Sequence, residues 1–317
     1  MFFMKHKLIL QPLLVAGKAI AATDRFLFHS HQVTVKPLVF FRITIGLLAL
    51  LNFLSVYADL DVLFGHAGIM PAEITGLYVD ELIINNTRLS TWLNLDAVNF
   101  SILFTCLFII FSLSLVAGLF PRFSALLLLL LHTSLMSNNV FFMYGADYFI
   151  RMSLFYLLFF PSQHAFSVQA LFNRYPDEKA NYLIYVRFLQ LHLLVVYLFS
   201  GVDKAIGYNW RNGEAVWKAI NLPHANTDFN LNFSWLSEYP LLLIAGGWGI
   251  ILTEMLYPLI FLASLRKYIL RLIVIMHLSI ALVLNLYYFS ALMITWNIAA
   301  FYVFDKKEGK NTSSAEG

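Results

Sequence analysis

The chain has 317 residues, 60% of them hydrophobic, 16% aromatic and only 12% charged, with a formal net charge of +3. Soluble domains run at about 45–50% apolar and about 25% charged, so this chain, at a mean hydropathy of +0.73, lacks the charges to cover a water-facing surface. Most of its surface must meet lipid, which makes it an all-α, polytopic membrane bundle. The small, scattered charge excludes nucleic acid as a partner, and the single cysteine, Cys106, excludes a disulfide framework or a thiol relay.

Residues 1–36 mix basic and apolar types, including Lys18, Arg25, Phe26 and Phe28. They are expected to lie as an amphipathic helix on the inner leaflet, with a disordered basic leader as the alternative and no convincing signal peptide. A span needs about 20 mainly apolar residues to cross about 30 Å of hydrocarbon. Eight segments meet this pattern between residues 37 and 304: Leu38–Tyr57, Val98–Phe120, Phe123–Met136, Tyr148–Pro161, Tyr182–Val202, Leu241–Ala263, Tyr268–Leu286 and Ala291–Phe304. The joints around Ser137–Asp147 and Tyr287–Ser290 carry the weakest pattern, and any unpaired backbone there must be buried or wet. Two long outside loops follow from this scheme. Residues 58–97 are acidic, with Asp59, Asp61, Glu73, Asp80, Glu81 and Asp96 against one arginine, and residues 203–240 carry Trp210, Trp217 and Trp235. The tail, 305–317, is polar.

With a cytoplasmic N-terminus, only Arg88, Lys204, Arg211 and Lys218 fall outside, Arg42, Arg151 and Arg187 fall within spans, and the remaining fourteen basic residues lie inside. That asymmetry places both termini in the cytoplasm.

Ionisable groups within spans are costly, so each is a candidate for function. In the fifth span Gln190, Tyr197 and Lys204 are spaced seven apart and share one face, with Arg187 and Gly201 on the same stripe. A stripe of this kind faces the bundle interior. Lys204 reads in two ways. In a dry pocket an ammonium loses its charge stabilisation, and the neutral amine becomes available as a general base. At a span end, a lysine also snorkels its head into water. Asp203 next to it has Arg211 within reach as a partner.

Glu254 follows Gly246, Gly247 and Gly249, which permit close helix contact. It reads as a proton carrier or ligand contact, or as the buried ion-pair partner of Arg187. His277 shares a face with Asn285 and reads as a donor to a bound carbonyl, a proton shuttle, or an interhelical hydrogen-bond partner. The sequence contains no H-E-x-x-H, no carboxylate cluster with metal spacing and no glycine-rich phosphate loop, so neither a metal nor a nucleotide cofactor is expected.

Three stretches together resemble one family. Val196-Tyr-Leu-Phe-Ser-Gly-Val-Asp-Lys204 followed by Trp210-x-x-Gly213 is similar to a motif of the vitamin K-dependent γ-carboxylases and their bacterial relatives, the HTTM (horizontally transferred transmembrane) proteins. Asn138-Asn139-Val140-Phe141-Phe142-Met143-Tyr144-Gly145, with Phe166-Ser167-Val168 after the next span, is the second. Glu254 with His277 and Asn285 is the third. The resemblance implies a bacterial inner-membrane protein with Lys204 at the position of the family's catalytic base. It also implies a quinol (vitamin K-like) co-substrate held in a dry pocket reached from the bilayer, with Tyr197, Gln190, Trp210, Asn138, Asn139, Tyr144, Glu254, His277 and Asn285 as substrate-binding candidates. Carboxylases carry a histidine where this chain has Val140, and a large extra-membrane domain where it has thirteen residues after Phe304. Both departures argue against full peptide-glutamate carboxylation.

Two functions are therefore expected to compete. One is a Lys204-dependent enzyme acting on a lipid-soluble small molecule. The other is a non-catalytic membrane partner in maturation or export of a secreted peptide or protein, docking through the acidic loop 58–97. A transporter is weaker, because no inverted repeat is evident.

Overall fold

The computed structural model describes residues 24–29, 33–64, 69, 85–138, 140–173 and 181–302. Eight helices form the body: α1 (Lys36–Ser55), α2 (Ala97–Ala117), α3 (Pro121–Ser137), α4 (Gly145–Phe159), α5 (Leu183–Ile206), α6 (Pro240–Met255), α7 (Ala263–Leu284) and α8 (Tyr287–Phe301). Four of them, α1, α2, α5 and α7, are long and apolar enough to cross a membrane unaided, and α3 and α6 are shorter apolar helices.

Local chemistry sets the helix ends. Pro37, Pro121 and Pro240 occupy first turns, where a missing N–H costs nothing. Asp96 accepts from Asn99 N at 2.7 Å to cap α2. Asp147 reaches back 3.1 Å to Tyr144 N at the start of α4. Asn285, in the left-handed region at φ 56°, ends α7.

The structure corrects several expected boundaries. Tyr287–Ser290, taken as a joint, is the first turn of α8. The span expected over Leu241–Ala263 is α6 followed by a separate 3-10 segment, Tyr257–Phe261, because Pro258 cannot continue an α-helix. The segment 203–240, expected as an outside loop, contains regular structure: α5 runs on to Ile206, and the short helices Tyr208–Arg211 and Glu214–Ile220 follow.

Of the N-terminal segment expected on the leaflet, the described part is a single π-type turn, Arg25–His29. Its Phe26 packs inward, 5.9 Å from the Phe261 ring and 4.0 Å from the Arg187 guanidinium. The rest of 1–23, the tail 305–317 and the loop residues Glu73, Asp80 and Glu81 lie outside the described residues.

α8 is the hub, packing against α1, α4, α5 and α7. Its Trp296 is fully buried. The ring stands edge-on to Phe41 (5.5 Å) and Phe149 (5.3 Å), and its Nε1 donates to Ser153 Oγ at 2.8 Å.

Interhelix ties show the alternation of direction. Tyr182 N donates to Val33 O, joining the starts of α1 and α5, and Gln190 donates to Ala300 O near the end of α8. At the opposite end Tyr288 OH donates to Leu51 O.

Arg42 is fully buried in α1 and was not singled out as a site from the sequence. Its guanidinium donates to the Ser162 and Phe166 carbonyls beyond the end of α4, satisfying backbone acceptors that lipid would leave bare.

Candidate functional site

α5 carries the site along one face. Gln190, Tyr197 and Gly201 are buried, and Lys204 closes the stripe at the helix's C-terminal end. Gly201 is needed for what Lys204 meets. A Cβ there would lie 2.9 Å from Met255 N and 3.1 Å from Glu254 Cβ. With only hydrogen in that place, α6 comes close enough for Glu254 to grip the lysine from both oxygens. Nζ donates to Oε2 at 2.8 Å, to Oε1 at 3.0 Å and to Ser200 Oγ at 2.5 Å. The Lys204 side chain is 18% exposed and that of Glu254 8%. The amine also stands 5.2 Å from the Trp210 ring centroid, a cation–π distance.

The segment after Lys204 is clamped to α6. Gly213 sits at φ +82°, and a Cβ on it would lie 2.6 Å from Ile244 N. At Gly247 a Cβ would fall 2.1 Å from Trp210 O. The W-x-x-G motif is therefore a docking device. It folds the chain over the end of α5 and presses it against the first half of α6, which brings Trp210 beside the amine.

This clamp also settles the partner of Glu254. The first half of α6 packs against the short helices beyond α5, so Glu254, near its C-terminus, arrives level with Lys204. The pair with Arg187, one of the two readings of Glu254, does not form. Arg187 instead donates to Gln190 Oε1 at 2.6 Å and to Phe26 O at 3.1 Å.

Lys204 and Glu254 face a cavity of about 500 Å³ bounded by α5, α6, α7, α8 and helix Glu214–Ile220. Its walls are apolar except at Tyr197, Ser200, Lys204, Glu254, His277 and Ser279. A large apolar pocket with few convergent polar groups is the usual form of a small-molecule site.

One level deeper, Asn297 Nδ2 donates to Tyr197 OH at 2.9 Å, and Tyr257 OH donates to Asn297 Oδ1 at 2.7 Å. The Tyr197 hydroxyl lies 2.8 Å from His277 Nε2. With its oxygen already accepting, Tyr197 donates to Nε2, an assignment that places the imidazole proton on Nδ1. Nδ1 is buried without a protein partner.

The structure thus brings Lys204, Glu254, Trp210, Tyr197 and His277 together, and leaves the other candidates elsewhere. Gln190 lies on the same face of α5 but about two turns below Tyr197 and four below Lys204, bonded to Arg187 and the Ala300 carbonyl. Asn138 accepts from Asn86 N at 2.9 Å at the end of α3, away from the cavity. Tyr144 caps α4 and does not line the cavity. Asn285 donates to His224 O and Thr227 Oγ1, pinning the loop between helix Glu214–Ile220 and α6. Asn139 falls outside the described residues.

Sequence reasoning missed Ser200, Tyr257 and Asn297, and also a buried pair between α3 and α4, where His132 Nε2 lies 3.5 Å from Asp147 Oδ1. Ser200, one turn before Lys204, and Asn297, polar in mid-span, carried a usable signal.

The family model for the HTTM domain matches residues 31–305. No curated protein and no solved structure gives a significant match.

Proposed function

The chain belongs to the HTTM domain family, a membrane family related to the γ-carboxylases, and we propose that it binds a lipid-soluble hydroxylic substrate of the quinol class, with Lys204 as general base. The observation that carries this reading is the Lys204–Glu254 pair at the wall of a 500 Å³ apolar cavity. A bound quinol would supply an acidic hydroxyl and a ring able to give up two electrons, with molecular oxygen as their acceptor. The chain's own residues bind and orient it and take the proton. As general base Lys204 takes the hydroxyl proton, with Glu254 beside it as the acceptor for the amine's own proton, and the ammonium so formed stabilises the oxyanion. Apolar walls exclude water that would compete for that proton. Trp210 stands over the amine, and His277, which lines the same cavity with Nδ1 unpaired, is a donor for a ring oxygen. In this reading the protein sits in a bacterial inner membrane with both ends of the chain cytoplasmic.

The test uses purified protein in lipid nanodiscs and a reduced naphthoquinone bearing a short isoprenoid tail, with oxygen uptake followed by electrode. Wild type should accelerate uptake, and Lys204→Arg should lose about 100-fold or more of that gain, because a guanidinium cannot become a neutral base. Full activity in both Lys204→Arg and Lys204→Ala overturns the assignment.

A second reading draws on one feature: the ammonium already has three acceptors in place, as a purely structural tie would. The protein then acts as a non-catalytic partner in maturing or exporting a secreted peptide, docking through its acidic outside loop. That reading expects Lys204→Ala to leave function intact, while neutralising Asp59, Asp61, Glu73 and Asp80 together abolishes it.

A further inference from the structure

The cavity is closed by tight helix packing on most sides, with one exception. α5 packs closely on α6, and α7 on α8, but α6 and α7 barely touch. Between them the cavity wall is made by Gly246 and Ile250 on one side and by Ser279, Ile280 and Val283 on the other. α7 is an outlying helix whose only buried residues are Ile273 and His277. Its Ile275, Leu278 and Leu282 are 60%, 48% and 46% exposed, and on α6 Trp248 and Leu252 are 41% and 48% exposed. These are lipid-facing surfaces, so the gap opens toward the bilayer, roofed by helix Glu214–Ile220.

The glycines of α6 separate into two kinds. Gly247 is required by packing, since a Cβ there would strike the Trp210 carbonyl. At Gly246 a Cβ would meet only Val216, at the ordinary distances of 3.8 and 3.9 Å, and at Gly249 it would meet nothing within 4 Å. Small residues in membrane helices normally serve close helix approach. Gly246 serves none, yet it lines the cavity, and with Ile250 and Glu254 at intervals of four it forms one stripe from gap to ion pair.

We propose that the gap between α6 and α7 is a lateral entrance from the bilayer, and that Gly246 is a specificity-determining residue whose missing side chain sets the girth of the tail passing through it. The inference rests on the ligand class proposed above and adds its route and its size limit. The occupant is an amphiphile with a neutral hydroxyl or carbonyl head. Lys204 and Glu254 cancel each other's charge, so the site offers no net positive charge to hold an anionic head.

The test is photolabelling in nanodiscs with a naphthoquinone whose isoprenoid tail carries a diazirine, competed by the unlabelled compound. Wild type should be labelled on the peptides holding Gly246–Ile250 and Ser279–Val283. Gly246→Leu should reduce that labelling by about tenfold or more, as overfilling a fitted apolar passage does, while Gly249→Leu leaves it unchanged. Ser279→Phe narrows the same gap from an exposed position on the opposite wall and should act as Gly246→Leu does. That second variant keeps the test decisive if a bulky residue at 246 impairs folding. Competable label that stays at wild-type level in Gly246→Leu and Ser279→Phe overturns the entrance alone. So does label concentrated instead on the groove of Tyr156 and His192 between α4 and α5. Absence of any competable label in wild type overturns the ligand class and this inference with it.

Discussion

The buried ion pair makes an energetic prediction with an asymmetry. Removing Lys204 as Lys204→Met leaves the Glu254 carboxylate, 8% exposed, without its counter-ion. Stranding a buried charge in this way costs about 3–5 kcal/mol. Removing the charge at Glu254 as Glu254→Gln strands an ammonium that is 18% exposed and keeps its bond to Ser200. The lysine stem is long enough to carry that head toward water, so the cost should be nearer 1–2 kcal/mol. With both changes no unpaired charge remains at this site, and the double variant should be more stable than Lys204→Met alone. The coupling across this cycle should reach at least about 2 kcal/mol. Reversible unfolding in dodecyl maltoside titrated with sodium dodecyl sulfate, followed by helical circular dichroism, measures all four proteins. A coupling below about 0.5 kcal/mol, or Glu254→Gln costing more than Lys204→Met, refutes the view that the pair is desolvated and mutually dependent.

Gly213→Ala forces a side chain into a φ of +82° and onto the α6 backbone at 2.6 Å. It should cost about 1–3 kcal/mol and release the clamp, seen as faster limited proteolysis between residues 207 and 239. Tyr197→Phe removes the hydroxyl joining His277 to Asn297, leaving two buried polar groups unsatisfied at a cost of about 1–3 kcal/mol, readable in the same unfolding assay. A pH effect is expected at His164, in the loop after α4. Burial, and then the charge of Arg122, hold its pKa below the usual 6.5. Its Nδ1 pairs with Tyr182 OH at 2.8 Å. Because the folded state resists protonation, stability should be complete above about pH 6.5 and fall as the pH drops below it, levelling once the folded histidine protonates too. His164→Gln should flatten that slope between pH 7.5 and 5, and an unchanged slope in the variant rejects the assignment.

Composition alone was enough to place this chain in a membrane, because 12% charged residues cannot cover a water-facing surface of this size. The stripe Gln190–Tyr197–Lys204 was equally legible, since spacing within one helix is set by its own hydrogen bonds. The similarity of residues 196–213 to the γ-carboxylases pointed to the C-terminal end of that helix, where the Lys204–Glu254 pair meets the cavity. What lies opposite the stripe could not be read in this way. Of the two readings open for Glu254, a ligand contact or an ion pair with Arg187, the sequence could not choose, because both residues fall in the inner halves of their expected spans. The actual axial offset of α6 against α5 comes from Gly213 and Gly247, which seat the Trp210 segment against α6 and bring Glu254 level with Lys204 instead. Likewise Asn285 and Asn138 are polar residues near span ends, and only packing decided that they hold loops and that Asn297, on a different helix, joins the Tyr197–His277 network. Periodicity along a chain records which residues share a face. The height at which two faces meet is decided by contacts between residues far apart in sequence, and those exist only once the bundle has closed.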